Sequence, residues 1–263
     1  MNRHIRLLVQ YFAQYAKVRL AYKADFIIAF FSSMAATVLG FGFVLVLFSK
    51  IPRLQDWSFN EVMFLYGFSL IPLGFFNVIS WNLYDFSEIY VIEGKFDRVL
   101  LRPVSTLFQV VFEKFRLESL QEVVTGMAVV SLCVRRLHLA LRIPDYLWFL
   151  VMIVCGAVIY LSVFLILTSV SFWFEDRVGI VPPVFNMLNF GRYPLTIYNV
   201  FIQFLLSWII PFGFATFYPT THFLGRSAFT FYFHLVPLVA AGFLTLAILV
   251  WNCGVANYSS TGT

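Results

Sequence analysis

The sequence predicts an all-α integral membrane protein, from its composition and from the length of its apolar runs. Of its 263 residues, 61% are hydrophobic and 12% are charged, and the mean hydropathy is +0.86. These values lie far outside the usage of soluble globular domains. The apolar runs are long and continuous, which favours membrane helices over the alternating strands of a barrel. At about 20 apolar residues per span, the chain has room for about six spans and for no sizeable soluble domain.

The first 25 residues predict a basic amphipathic helix. Apolar side chains recur there at helical spacing: Ile5, Leu8, Val9, Phe12, Ala16 and Leu20. Such a helix rests on anionic lipid alone, or it is a surface element that also contacts a cytoplasmic partner. We therefore divide the chain into an interface helix, residues 1–25, and a single membrane domain, residues 26–263.

Six apolar segments predict the spans. They cover about 26–48, 62–83, 110–134, 147–173, 198–217 and 229–251. Six spans leave both termini on one side of the membrane. With cytoplasmic termini, the inner segments hold twelve of the eighteen Lys and Arg residues, which the positive-inside rule favours. This count includes Arg192 and Arg177, the latter in the Glu175-Asp176-Arg177 run that closes the fourth span.

The inner loop between the second and third spans, about residues 84–109, has the clearest local pattern. An apolar stripe runs beside charged residues and predicts a short two-faced helix; it comprises Ile89, Ile92, Phe96, Val99 and Leu100. Gly94 permits a turn, and Pro103 ends or redirects the helix. This pattern fits a connector lying in the lipid headgroups, and equally a rigid element that docks on a partner.

Glu118 and Glu122 fall in the inner turns of the predicted third span. Acidic groups at membrane depth are costly and usually face a partner or a wet cavity, so one hypothesis is that they line an inner vestibule. The alternative is that the helix projects into the cytoplasm, where Lys114 and Glu118 form an ordinary exposed i,i+4 pair.

An aromatic segment broken by proline, residues 212–223, separates the fifth and sixth spans. It predicts a partial re-entry from the outside. The alternative is an aromatic belt at the membrane interface.

The sequence lacks the motifs of an enzyme. It has no GxxxxGK[ST] phosphate loop and no HExxH or GxSxG motif, and its three cysteines show no metal-ligand spacing. We therefore expect a non-catalytic chain with no cofactor or metal of its own and no nucleic-acid partner.

Three features together resemble the permease subunits of ABC-type-2 exporters, in particular a bacterial branch of paired permeases with a separate ATPase. The first is the basic N-terminal helix, and the second is the run from Glu93 to Pro103. The third is Arg192-Tyr193-Pro194-Leu195 followed by Ile210-Pro211-Phe212 and Phe217-Tyr218-Pro219.

The resemblance implies a six-helix half-transporter that pairs with a second permease and sits on two ATPase subunits, which bind ATP and Mg²⁺. The second permease is then a related chain or a second copy of this one. The location implied is the bacterial cytoplasmic membrane. The resemblance also implies that the segment with Phe217, Tyr218 and Pro219 helps to cap the exit side. The short inner helix becomes the coupling helix, with these contact residues: Glu93, Gly94, Lys95, Phe96, Asp97, Arg98, Leu100, Leu101, Arg102 and Pro103.

Within that set, the resemblance implies that Phe96, Leu100 and Leu101 are apolar anchors in a groove of the ATPase. It does not fix the cargo. The alternative function is an ion-coupled secondary transporter or channel that uses Glu118 and Glu122, and a third possibility is a membrane scaffold.

Overall fold

The computed structural model describes residues 3–174 and 181–259, without the side chains of residues 3–6 and 18–21. The Glu175-Asp176-Arg177 run lies outside the described residues. The described chain forms helices, turns and one isolated β-bridge between Leu54 and Trp57. Its α-helices are α1 (Arg3–Ala21), α2 (Lys23–Lys50), α3 (Phe59–Ser80), α4 (Phe96–Leu100), α5 (Thr106–Phe112), α6 (Leu120–Arg136), α7 (Ile143–Ser169), α8 (Val181–Met187), α9 (Val200–Phe204), α10 (Phe212–Ala215), α11 (Phe217–Phe223) and α12 (Thr230–Asn257).

Five helical segments of the described chain are long and apolar enough to cross a membrane. They are Lys23–Lys50, Phe59–Ile92, Leu117–Arg136, Ile143–Phe172 and Ser227–Asn257. These confirm the predicted first, second, fourth and sixth spans. The third span begins at Leu117, later than the predicted residue 110. The helix is interrupted there, because α5 ends at Phe112 and the backbone amide of Arg116 donates to the carbonyl oxygen of Val78 instead of to a helical partner.

Helix α3 is the centre of the bundle, whereas α2 lies at its edge. Most residues of α3 are buried, but in α2 only Ser33, Thr37 and Val44 are. Helices α3 and α6 approach closely, because a Cβ atom added at Gly126 would lie 2.5 Å from the carbonyl oxygen of Gly67. Small residues that let helix backbones approach are the usual means of packing helices in lipid.

The predicted fifth span, 198–217, is not a single helix. Its two parts, Val200–Ile209 and Phe212–Phe223, are bent by 72°. Just before this segment, Thr196 accepts a hydrogen bond from the indole of Trp57 at 2.9 Å. Just after it, Arg226 donates to the carbonyl oxygen of Asp56, also at 2.9 Å. Both ends of the segment therefore lie at the end of the bundle where α3 begins.

Between those two ends the segment reaches deep into the bundle. The ring of Phe212 lies 5.3 Å from that of Tyr160, in the middle of α7. The segment therefore enters and leaves at one end, and it begins at Val200, earlier than the expected re-entry of residues 212–223. The fifth passage through the bundle is made instead by residues 181–197, from α8, where Phe185 contacts Tyr84 near the end of the second span, to Thr196. The span prediction missed this passage because turns and short 3₁₀ segments interrupt its apolar run.

Candidate functional site

Phe96 fixes the inner loop to the bundle. Its side chain is fully buried in an aromatic cluster formed by the ends of three spans: Phe86, Phe172, Trp251 and Tyr258. The expectation that Phe96 contacts an ATPase groove is therefore wrong. The predicted amphipathic stripe is present, but the more buried part of it packs on the chain's own helices. Local periodicity shows only that one face is apolar, and it cannot show whether that face contacts the same chain or a partner.

The tip of the inner loop exposes leucine and charge. The side chain of Leu101 is 85% exposed and that of Leu100 is 45% exposed. Gly94 has a φ of 67°, the left-handed conformation for which glycine is favoured. The other expected contact residues are exposed except Asp97, which is half-buried; the exposed ones are Glu93, Lys95, Arg98, Arg102 and Pro103.

Buried amides hold this loop in one shape. The Gln109 side-chain amide donates to the carbonyl oxygens of Val99 and Val104 at 3.1 and 2.9 Å. The indole of Trp251 donates to the Thr106 hydroxyl at 3.2 Å, which joins the loop to α12. These hydrogen bonds join the two sides of the loop and attach it to the bundle.

Tyr258 joins the chain just after α12 to the loop helix α4. Burial and the nearby Asp97 carboxylate raise the pKa of Tyr258 to about 12. The ring of Tyr258 lies 5.0 Å from that of Phe96, so this residue adds to the contact between the end of α12 and α4.

A polar cavity of about 420 Å³ lies between α2, α3 and α8. Glu122 lines it and accepts hydrogen bonds from Asn77 at 3.1 Å and Ser33 at 3.5 Å. The other residues that line it are Ser32, Ala36, Thr37, Gly40, Leu70, Leu73, Trp81, Arg116, Phe185, Leu188, Asn189 and Arg192. This geometry agrees with the vestibule hypothesis for Glu122.

Glu118 is fully buried and does not line the cavity. The alternative of an exposed Lys114–Glu118 pair is wrong, because Lys114 lies 3.9 Å from Asp85 and the helix begins only at Leu117. Of the two glutamates, Glu122 therefore remains the candidate for lining an inner vestibule, and Glu118 does not.

Sequence reasoning missed two arginines at this cavity. Arg192, expected in an inner loop, lies inside the bundle and donates to the hydroxyl of Tyr66 at 3.1 Å. The guanidinium of Arg116 lies 3.7 Å above the ring of Trp81. The sequence contained one sign of this site, the Arg192-Tyr193-Pro194 motif. It could not show how deep Arg192 lies in the bundle, because that depth depends on the path of residues 181–197.

Phe217, Tyr218 and Pro219 are buried at the other end of the bundle. The hydroxyls of Tyr218 and Ser207 lie 2.8 Å apart, and the rings of Tyr218 and Tyr232 stack at 4.6 Å. Since these residues pack inside the chain, they do not form an aromatic belt in contact with lipid headgroups. In residues 3–174 and 181–259, no group of three His, Cys, Asp or Glu side chains could hold a metal ion.

A family model described as "ABC-2 family transporter protein" matches residues 31–262. Searches among curated proteins and among solved structures found no significant match. The matched range contains the inner loop, the polar cavity and the re-entrant segment. Members of this family are typically non-catalytic membrane components, and the family implies association with an ABC ATPase. The chain therefore belongs to the ABC-2 family and is a multi-pass permease of an ABC-type transporter.

Proposed function

We propose that this chain is one of two permease subunits of an ATP-driven exporter and that its inner loop docks on a separate ATPase. The observation that carries the proposal is the exposed Leu100–Leu101 tip of a loop whose other side is fixed to the bundle through Phe96. An exposed apolar pair rimmed by Arg98 and Arg102 suits a groove with an apolar floor and acidic edges.

The loop couples the ATPase to the membrane helices because its tip contacts the ATPase and its other side is fixed to the bundle through Phe96. Closure of two ATPase subunits around ATP and Mg²⁺ displaces the tip. The aromatic cluster around Phe96 carries that displacement to the ends of α7 and α12 through Phe172 and Trp251. A switch of this kind requires an element whose contacts differ between two states. The exposed tip would supply that difference through its contacts with the open and the closed ATPase dimer. This chain contributes no phosphate loop, so the nucleotide sites belong to the partners.

The proposed orientation has both termini in the cytoplasm of a bacterial cell. The end of the bundle that carries the inner loop also carries Lys95, Arg98, Arg102 and Lys114, as the positive-inside rule favours. Helix α1 lies at the same end, because Phe12 and Tyr15 contact Phe115 at ring distances of 5.6 and 6.0 Å. We therefore propose that α1 is the interface helix, lying on anionic lipid and near the ATPase.

The second permease covers the face formed by α2 and residues 181–197. Irregular backbone at membrane depth is tolerated only where it is buried in protein or lines a water-filled cavity. This face exposes polar amides at Asn186 and Asn189 and small side chains at Ser32 and Ala36. A related chain or a second copy would bury it and enclose a pathway along the polar cavity. The re-entrant segment with Phe217, Tyr218 and Pro219 then caps the exit side.

The test is Leu101→Asp, with Ile143→Asp as the matched control. Both are exposed apolar residues, 85% and 88% exposed, at opposite ends of the bundle. The chain is purified from its native membrane in mild detergent, and co-purifying proteins are quantified by mass spectrometry. We expect a stoichiometric ABC ATPase with the wild type and with Ile143→Asp, and at least tenfold less with Leu101→Asp. Equal ATPase recovery with Leu101→Asp would contradict docking through the tip.

A further inference from the structure

We propose that the polar cavity binds the anionic head group of a lipid-like amphiphile, and that Arg192 and Arg116 are the residues that hold it. The proposal rests on the proposed function, because it names the class of cargo for the pathway along this cavity. It commits to an oxyanion, a phosphate or a carboxylate, joined to an apolar chain.

The charge at the cavity favours an anion. Arg116, Arg192 and Glu122 line it, so two positive groups face one negative group. Within the described part of the chain, neither arginine forms an ion pair with a carboxylate. Arginine at membrane depth is costly and normally pairs with a partner or marks a substrate pathway. An anionic ligand supplies the missing partner.

The guanidinium groups are oriented for such a ligand. The Arg116 guanidinium lies 3.7 Å from the centre of the Trp81 ring, and this cation–π contact holds it at the cavity. Arg192 uses one Nη to bind Tyr66, while its buried Nε–H has no acceptor among the described residues. The fork of donors on arginine matches two oxygens of a phosphate or carboxylate.

The two arginines line the same cavity together with Glu122. Arg192 contacts Tyr66 of α3, and Arg116 contacts Trp81, which directly follows α3. Both guanidinium groups therefore border the space that a head group would occupy, while the carboxylate of Glu122 is held by Asn77 and Ser33.

The rest of the lining indicates an amphiphile in preference to a free ion. Leu70, Leu73 and Leu188 supply apolar walls beside the polar groups. Ser32 and Asn189, which also line the cavity, are exposed, so the cavity opens at the surface between α2 and α8. That opening lies at membrane depth. A head group in the cavity can therefore leave its chain in the membrane or between the two permeases.

The experiment uses the full-length chain alone, purified in a neutral detergent without any ATPase. Its melting temperature is measured with dioleoyl phosphatidylglycerol, with dioleoyl phosphatidylcholine and with inorganic phosphate. A ligand at 100 times its Kd raises the melting temperature of a chain of this size by about 5–10 °C. We expect that rise with phosphatidylglycerol and less than a third of it with the other two.

In Arg192→Gln and in Arg116→Gln, the concentration of phosphatidylglycerol needed for half of the rise in melting temperature should increase at least tenfold. The control is Arg142→Gln, which changes an exposed arginine outside the cavity and should leave the response intact. In the described part of the chain, the Arg116 side chain forms a cation–π contact with Trp81 and no ion pair, so its variant keeps the test usable if Arg192→Gln does not fold.

Three results would overturn the proposal: an equal rise with phosphatidylcholine, an unchanged response in both cavity variants, or an equal rise with inorganic phosphate. The last would show that the site takes a free oxyanion and not an amphiphile. Because no ATPase is present, this outcome is independent of the docking test on Leu101. A chain that binds the lipid but recovers no ATPase would disprove the proposed function alone.

Discussion

Two glycines of α2 provide a sharp test of how α2 packs at the polar cavity. A Cβ atom added at Gly40 would lie 1.8 Å from the Tyr66 hydroxyl oxygen, whereas one added at Gly42 meets nothing within 4 Å. The Tyr66 side chain is 1% exposed, and its hydroxyl accepts a hydrogen bond from Arg192. Gly40→Ala therefore forces a buried ring to move, and Gly42→Ala does not.

The expected magnitudes follow from this difference. Both substitutions remove a flexible residue from a helix interior, which stabilises the helix by roughly 0.5–1 kcal/mol. Overpacking at a buried site costs about 1–3 kcal/mol. The movement of Tyr66 also disturbs its contact with Phe41, whose ring lies 4.7 Å away. We therefore expect Gly40→Ala to be less stable than Gly42→Ala by about 2 kcal/mol, or about 4–8 °C in melting temperature.

The assay is thermal unfolding of the two variants and the wild type in one detergent, followed by circular dichroism. Gly42→Ala should melt at or above the wild-type temperature, and Gly40→Ala below it. Equal melting temperatures for the two variants would refute the close approach of α2 to Tyr66. The same result would weaken the geometry given for Arg192.

Three further substitutions test the packing of the bundle, each by thermal unfolding. Phe96→Ala should cost about 3–5 kcal/mol, because it leaves a cavity in a buried aromatic cluster; a loss no larger than that of the exposed Leu101→Ala would contradict this burial. Gly126→Ala should cost about 1–3 kcal/mol, because the new methyl group would lie 2.5 Å from a backbone oxygen of α3; wild-type stability would show that the two helices are farther apart. Arg226→Gln should cost about 1 kcal/mol by removing the 2.9 Å ion pair with Glu61, together with the hydrogen bond to the Asp56 carbonyl oxygen. That loss should shrink in 1 M salt, and a loss independent of salt would mean that the pair contributes little.

Local sequence patterns were sufficient to predict the elements that depend on neighbouring residues in the chain. The long apolar runs predicted four spans close to where they are found, because a span needs only about 20 apolar residues in sequence. Gly94 was correctly expected at a turn, since its positive φ is accessible chiefly to glycine.

The errors arose where a residue's partner is distant in the sequence. The stripe that contains Phe96 has the spacing of a docking face, but its partner Trp251 is more than 150 residues away in the same chain. Arg192 was expected in a loop, because an interrupted apolar run does not look like a passage through the membrane. Its position depends on Tyr66 and on the path of residues 181–197.

The sequence by itself therefore determined the class of molecule, since the free energy of moving apolar residues into lipid depends on composition and run length. It also determined the family, through motifs that need no spatial context. The tertiary structure alone decided which charged groups share a cavity and which apolar groups face outward. Those properties follow from how the helices pack on one another, and helices in lipid pack through close contacts between residues that are far apart along the chain.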